Sequence, residues 1–507
     1  MSAIEIMDTT LRDGEQMNSV SYTSEEKLTI SRILLEEVGV DRIEVASARV
    51  SEGEQRSVEM ILNWAAAKGY ADRIEMLGFT DRNKSVDWIV AAGGRAMNLL
   101  CKGSLRHVEK QLRKTPAAHL ADIVDTVRYA RTKGLECNIY LEDWSNGALS
   151  SPDYVTFLLD GLKDAGIRRF MLPDTLGVLC PDQVSRFVGE IVRAYPDRHF
   201  DFHGHNDYGL ATANTLAAVR AGVHGVHCTV NGMGERAGNT PLDEVVVCLH
   251  DFDGRRTNVN EMALFRVSQA VEVFSGRRLA PNKPVTGANV FTQTAGIHAD
   301  GDKKENLYAN PLLPERFGRK REYALGKLSG RSNLDFNLEE LGIELNAEQR
   351  KIVLERIVEL GDLKESVTKE DLPYIIADVL DELQEKRFLI ESCVVVTSKG
   401  AKSIASLKAR YRRPSGEWSE FDMVGQGDGG YDALMNGIRK IAGLIGVKLP
   451  QLVDYTVTIP PGGKTDAIVH CAITWKGEKS FVTRGVNSDQ VLAAADATEK
   501  MVNLVVE

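Results

Sequence analysis

The stretch His199, Phe200, Asp201, Phe202, His203, Gly204, His205, Asn206, Asp207 carries two imidazoles, two residues apart, at the end of an apolar run. On a β-strand, residues i and i+2 point to the same face about 7 Å apart along the chain. His203 and His205 therefore offer two nitrogen donors from one side, where a strand gives way to a polar loop. One His alone would be structural or solvated; the alternating pair, flanked by Asn206 and Asp207, points to a divalent metal site.

Working outward, apolar strand-like runs alternate with helix-period stretches from the N-terminus to about Phe274. The strands are expected near Ile4 to Thr9, Arg42 to Ala46, Ile74 to Phe79, Ala96 to Leu100, Glu136 to Leu141, Arg169 to Pro173, His199 to His203 and Gly225 to Val230. Between the first two, Thr23 and Glu26 form a capping-box start for a helix whose face carries Ile30, Ile33, Leu34 and Val38. Units of this number and size predict an α/β fold, a (β/α)8 TIM barrel, with its active site at the C-terminal ends of the strands. A doubly wound open sheet competes, but no GxGxxG follows the first strand.

The chain of 507 residues is too long for one core. Its 43% hydrophobic and 26% charged content and net charge of -10 exclude phosphate-driven nucleic-acid binding. No run of eighteen apolar residues argues for a membrane, and the seven scattered Cys, without a CxxC pair, read as a reduced cytoplasmic protein lacking a sulfur-based zinc site. We expect a catalytic barrel over 1–274, a mostly helical connecting region over 275–386 and a C-terminal domain over 387–507. In that last part a pattern of three strands and a helix occurs twice, a duplicated βββα domain. Its Gly-rich segments, 425–430 and 460–463, suit turns, and Thr458 removes the first glycine a phosphate loop would need.

The strand ends then supply candidates. After the first strand, Arg12, Asp13 and Gly14 bring a carboxylate that can complete a two-His, one-Asp set with open positions for substrate; Zn, Mn, Mg or Co would suit it. On the fifth strand Tyr140 and Glu142 alternate inward, and Glu142 could anchor Arg12 so that the guanidinium faces a developing oxyanion. Thr175, after the sixth, offers a hydroxyl to a substrate carboxylate, and Asn239, among the glycines after the eighth, a neutral oxygen ligand.

Leu11, Arg12, Asp13, Gly14 and Gln16 with Lys27, then His203, His205, Asn206, Asp207 and Gly209, then Gly234, Glu235, Arg236, Gly238 and Asn239 together resemble the alpha-isopropylmalate, homocitrate and citramalate synthase family. The resemblance extends over essentially the whole chain. Tyr140 to Gly147, Asp300 to Tyr308 and Gly427 to Asp432 look most like the citramalate-forming members. It implies a Claisen-type condensation of acetyl-CoA with a 2-oxo acid, at a metal held by Asp13, His203 and His205 with Asn239 nearby. It further implies that His298, reaching in from the connecting region of a partner subunit in a homodimer, works with Glu235 and Tyr308 to take a methyl proton.

Leu77, Leu100 and Tyr140 are expected to wall the side-chain pocket, leaving room for little more than a methyl and favouring pyruvate over 2-oxoisovalerate; 2-isopropylmalate formation is the alternative. A metal-dependent acyl-CoA lyase or aldolase, and a non-enzymatic amino-acid sensor, are rivals from other classes. For the C-terminal domain we expect feedback binding of isoleucine, or alternatively leucine, near Tyr431, Asp432, Tyr455, Pro460, Pro461, Gly462 and Gly463.

Overall fold

A computed structural model describes residues 3–303, 307–362, 367, 369, 372–373, 375–376, 386–397, 400–458, 469–477 and 480–506. The chain forms two compact units, Met1–Phe291 with Ala309–Arg321, and Thr292–Tyr308 with Glu322–Glu507.

The first unit is a closed parallel barrel of eight strands: β1 (Glu5–Asp8), β2 (Arg42–Ser47), β3 (Ile74–Phe79), β4 (Ala96–Lys102), β5 (Glu136–Glu142), β6 (Arg169–Asp174), β7 (His199–Gly204) and β8 (Gly225–Cys228). β1 closes the ring against β8, with Met7 opposite His227. The strand after which the sequence pattern expects Val230 stops at Cys228, because the chain turns there and Asn231 adopts a left-handed φ of 62°. The capping box forms as expected: the Thr23 side chain accepts from Glu26 N and Thr23 N donates to Glu26 Oε2. The helix Ser24–Arg32 then runs on as a wider π-helical turn, Ile33–Val38, ending at Gly39.

Alternation along the strands sorts residues to two sides. Ile6, Ile43, Val45, Ile74, Met97, Ile139, Phe170, Phe200 and Val226 join the main apolar core. The opposite face carries charge. Arg42 Nη1 donates to Glu75 Oε1 at 3.0 Å and Nη2 to Asp201 Oδ2 at 2.6 Å, while Arg169 Nη2 reaches Glu5 at 2.9 Å. Arg42, Glu75, Arg169 and Asp201 are all buried, so each charge depends on its partners.

Within residues 275–386, the segment Ala309–Arg321 packs with the barrel unit. Arg316 pairs with Glu261 and Asp251, and Phe317 stacks on Phe291. Arg319 donates to the carbonyls of Gly287 and Ala288, so this basic run is partly consumed by structure.

The second unit contains the helices Gly296–Lys303, Arg331–Leu341 and Ala347–Asp362 and two three-stranded antiparallel sheets. The strands Phe388–Val396, Ser403–Arg412 and Trp418–Gly427 precede helix Gly430–Ile445; Gln451–Thr458, Val469–Lys476 and Ser480–Asn487 precede helix Gln490–Val505. Both halves of this βββα duplication contribute to one apolar core, including Leu407, Ile438, Ile473, Trp475 and Met501. Among the described residues no helix is long and apolar enough to cross a membrane.

Arg42→Met leaves Glu75 and Asp201 buried without their cation, and we predict a loss of about 3–5 kcal/mol in the stability of the barrel. Urea denaturation followed by a barrel-specific probe checks this; an unchanged midpoint would refute it.

Candidate active site and metal centre

The metal candidates converge at the C-terminal mouth of the barrel. One ligand atom from each of Asp13, His203 and His205 can be chosen so that all three lie within 4.8 Å of one another, and all three residues are buried. His203 Nε2 and His205 Nε2 stand 3.2 Å apart, and Asp13 Oδ2 lies 3.3 Å from the first and 4.0 Å from the second. Two donors at about 2.1 Å from one ion, at roughly a right angle, would be about 3 Å apart, so the imidazole spacing fits.

The chemistry of the donors fits as well. Burial pushes His203 below the usual imidazole value and His205 down to about 4, with neighbouring His203 adding to the latter. Burial opposes ionisation of Asp13, but Arg12 and His203 outweigh it and hold the carboxyl well below the usual carboxylate range. Neutral imidazoles and an ionised carboxylate are the states a divalent ion requires. Asp13 Oδ1 and Asn239 Oδ1 are buried without hydrogen-bond partners, and both suit a hard cation.

Asn239 reaches this point through the loop after β8. Its Nδ2 donates to Met233 O, and it bridges His205 through the backbone. A Cβ on Gly234 would meet Asn239 Nδ2 at 2.2 Å and one on Gly238 would meet Gly232 O at 1.9 Å, and both glycines have positive φ. Only glycine permits that crossing. Arg236 ties the loop down by donating to both oxygens of Asp207 and to Thr175 O, while its neighbour Glu235 is exposed.

Arg12 corrects one expectation. Its Nε donates to Glu44 Oε2 at 2.5 Å, its Nη1 to Asp13 Oδ2 at 3.0 Å and its Nη2 to the Tyr140 hydroxyl at 3.3 Å. The anchoring carboxylate is therefore Glu44 and not Glu142. Glu142, beside Lys102 in the register of β4 and β5, pairs with that lysine instead. Glu44 is fully buried and also accepts from Asn98 Nδ2 at 2.7 Å. The signal was present in β2, where Arg42 and Glu44 alternate on an otherwise apolar strand: two charges facing inward demand buried partners. Lys27 is a second such group. Its buried Nζ meets Leu11 O, Val45 O, Glu15 and Glu54, fixing the loop that carries Arg12 and Asp13.

Leu77 and Tyr140 are brought together with Met7 and Met171 in one apolar cluster, with Leu100 and Phe79 packed against it. The Tyr140 ring lies 5.9 Å from that of His203, so the cluster adjoins the metal set. Thr175 Oγ1 accepts from Asp143 N at 2.8 Å, which leaves its own proton free to be donated. His298 and Tyr308 lie in the second unit, their rings 4.4 Å apart. There too, Tyr431 stacks on Tyr455 at 5.0 Å and its hydroxyl bonds Thr498, with Asp432 exposed beside it. Pro460, Pro461, Gly462 and Gly463 lie outside the described residues.

The HMGL-like family model matches residues 3–271, the homocitrate synthase post-HMGL domain-like model 285–365 and the LeuA allosteric (dimerisation) domain model 366–506. The (R)-citramalate synthase CimA of Methanocaldococcus jannaschii is 34% identical over 504 residues, 99% of each chain. The 2-isopropylmalate synthase of the same organism is 33% identical over 510 residues, 99% of this chain and 94% of that protein. Overall similarity does not choose between the two, so the pocket must.

Equilibrium dialysis against Mn, Co or Zn is predicted to give one ion per chain. His205→Ala should weaken binding by more than the roughly 10- to 100-fold that outer partners are worth; unchanged stoichiometry and affinity would remove the site.

Proposed function

The chain belongs to the HMGL-like family and, along its full length, to the group containing (R)-citramalate synthase and 2-isopropylmalate synthase, and from that premise we propose that it condenses acetyl-CoA with pyruvate and water to (R)-citramalate and free CoA. It is an enzyme of the metal-dependent, acyl-CoA-condensing type.

The observation that carries the choice of pyruvate is the apolar cluster beside the metal set. Met7, Leu77, Tyr140 and Met171, with Leu100 and Phe79, are packed together and contribute no cation. A methyl fits against such a wall; a branched chain meets it, and a distal carboxylate finds no partner there.

Asp13, His203 and His205, with Asn239 beside them, would hold a divalent ion, which would supply Lewis acidity for the 2-oxo acid. The Thr175 hydroxyl donates to that carboxylate. His298 of the partner subunit, with Glu235 and Tyr308, takes a proton from the methyl group of acetyl-CoA. The resulting carbanion forms a C–C bond to the keto carbon, whose C=O electron pair passes to oxygen. Arg12, held by Glu44, donates hydrogen bonds to that alkoxide as its charge develops. Protonation of the alkoxide and attack of water on the thioester then release the CoA thiol and a carboxylate.

The second unit acts as the regulatory part, taking isoleucine at the Tyr431–Tyr455 stack beside Asp432, with the dimer supplying both this site and His298. The match to an allosteric (dimerisation) domain supports that reading, and leucine is the alternative effector.

Free-thiol release with pyruvate should exceed that with 2-oxoisovalerate in kcat/KM; a clear preference for the branched acid would transfer the assignment to 2-isopropylmalate synthesis. Leu77→Ala should shift the ratio toward the branched acid by about 10- to 200-fold, the worth of a methylene or two in an apolar pocket. Isoleucine should inhibit the full chain and leave a chain ending at Lys386 unaffected; retained sensitivity in the truncated chain would displace the effector site.

A further inference from the structure

Behind Arg12 stands a histidine that the condensation chemistry leaves unused. His227 lies within β8 with its side chain fully buried. Its Nε2 is 3.2 Å from Asp201 Oδ2 and its Nδ1 is 2.9 Å from the Tyr140 hydroxyl. Asp201 is itself held by Arg42 Nη2 at 2.6 Å and His199 Nε2 at 2.8 Å. A continuous chain thus runs Asp201, His227, Tyr140, Arg12.

The polarity of this chain is decided at its ends. An arginine can only donate, and a carboxylate paired with a buried arginine can only accept. Between them the imidazole and the phenol could each be oriented either way, but one arrangement satisfies every contact. Arg12 donates to Tyr140, Tyr140 donates to His227 Nδ1, and His227 Nε2–H donates to Asp201. Two things follow for the substrate pocket. The Tyr140 oxygen keeps a lone pair for Arg12, giving the guanidinium a third anchor beside Glu44 and Asp13. And the one phenolic proton is spent on His227, so Tyr140 offers the pocket an aromatic face without a donor.

We propose that His227, held in one tautomer by Asp201, is a positioning residue for the condensation: through the Tyr140 hydroxyl it sets the angle at which Arg12 meets the alkoxide and keeps the side-chain pocket apolar. This rests on the condensation reading above. Glu44 and Asp13 still hold Arg12 when His227 is altered, so binding of the 2-oxo acid survives while alignment at the alkoxide is lost. The loss therefore falls on kcat, by about 10- to 100-fold, with KM for pyruvate changed by less than about threefold.

Two near-isosteres separate the ring nitrogens. His227→Asn keeps an amide oxygen near the Nδ1 position and still accepts from Tyr140; His227→Gln reaches instead toward Asp201. We expect Asn to recover kcat and Gln to lose it, both with KM nearly unchanged. In a Tyr140→Phe background the difference between Asn and Gln should vanish, because the hydroxyl through which His227 acts is gone. Nitrogen-labelled histidine spectra of the unaltered chain, with the His227 ring assigned through its own backbone and side-chain carbons, should show a bare Nδ1 and a protonated Nε2. If the variants do not fold, this tautomer decides. Equal losses in Asn and Gln, a difference that persists in Tyr140→Phe, or the opposite tautomer would each overturn the proposal. Absence of CoA release from acetyl-CoA and pyruvate by the unaltered chain would instead count against the condensation reading, and the tautomer would still judge the hydrogen-bond chain.

Discussion

A guanidinium buried at the mouth of a barrel is tolerated only if its charge and its donors are met. Arg12 is met by Glu44, Asp13 and Tyr140, and each of these partners carries a further obligation. Asp13 belongs to the candidate metal set, Tyr140 to the apolar cluster beside it, and Glu44 is tied through Asn98 to Asn138 on the neighbouring strand. The cation thereby fixes ligand, pocket and barrel interior to one another. Removing any one partner would leave a buried charge or donor unmatched, at a cost of about 3–5 kcal/mol for a broken buried pair.

The same requirement shapes the barrel below. Branched aliphatic layers are the usual filling of such an interior, whereas here Arg42, Glu75, Asp201, Arg169 and Glu5 form linked ion pairs. Most apolar packing lies on the outer faces of the strands, and the interior keeps a small apolar cluster of Met7, Leu77, Tyr140 and Met171. The ionic interior gives the site rigid support: Asp201 stands at once in the Arg42 pair and in the contact to His227. Lys27 serves the same end from the helix side, since it satisfies the carbonyls of Leu11 and Val45 while paired with Glu15 and Glu54.

Much of this was legible from local pattern. Apolar runs of strand length at regular spacing point to the barrel, and the two-residue spacing of His203 and His205 points to the candidate metal pair that the fold brings to Asp13. Those signals are periodic and need only a few neighbouring residues. Local pattern does not separate Glu142 from Glu44 as the brace on Arg12, because both are carboxylates on barrel strands. What separates them is register. Glu142 lies opposite Lys102 across β4 and β5, and its charge is already taken there. His227 gave no signal at all, being one polar residue in a short strand whose partners come from β5 and β7.

The sequence by itself determined the periodicity of strands and helices, the donor types at the strand ends and the duplication of the C-terminal βββα pattern, because each is written in residues close together in the chain. Only the tertiary structure decided which carboxylate holds Arg12, which groups flank Tyr140 and His227, and that Met7 and Met171 join Leu77 and Tyr140 beside His203. Those choices depend on closing the barrel, which brings β1, β2, β5, β7 and β8 around one axis and places partners from distant strands within reach of each buried charge.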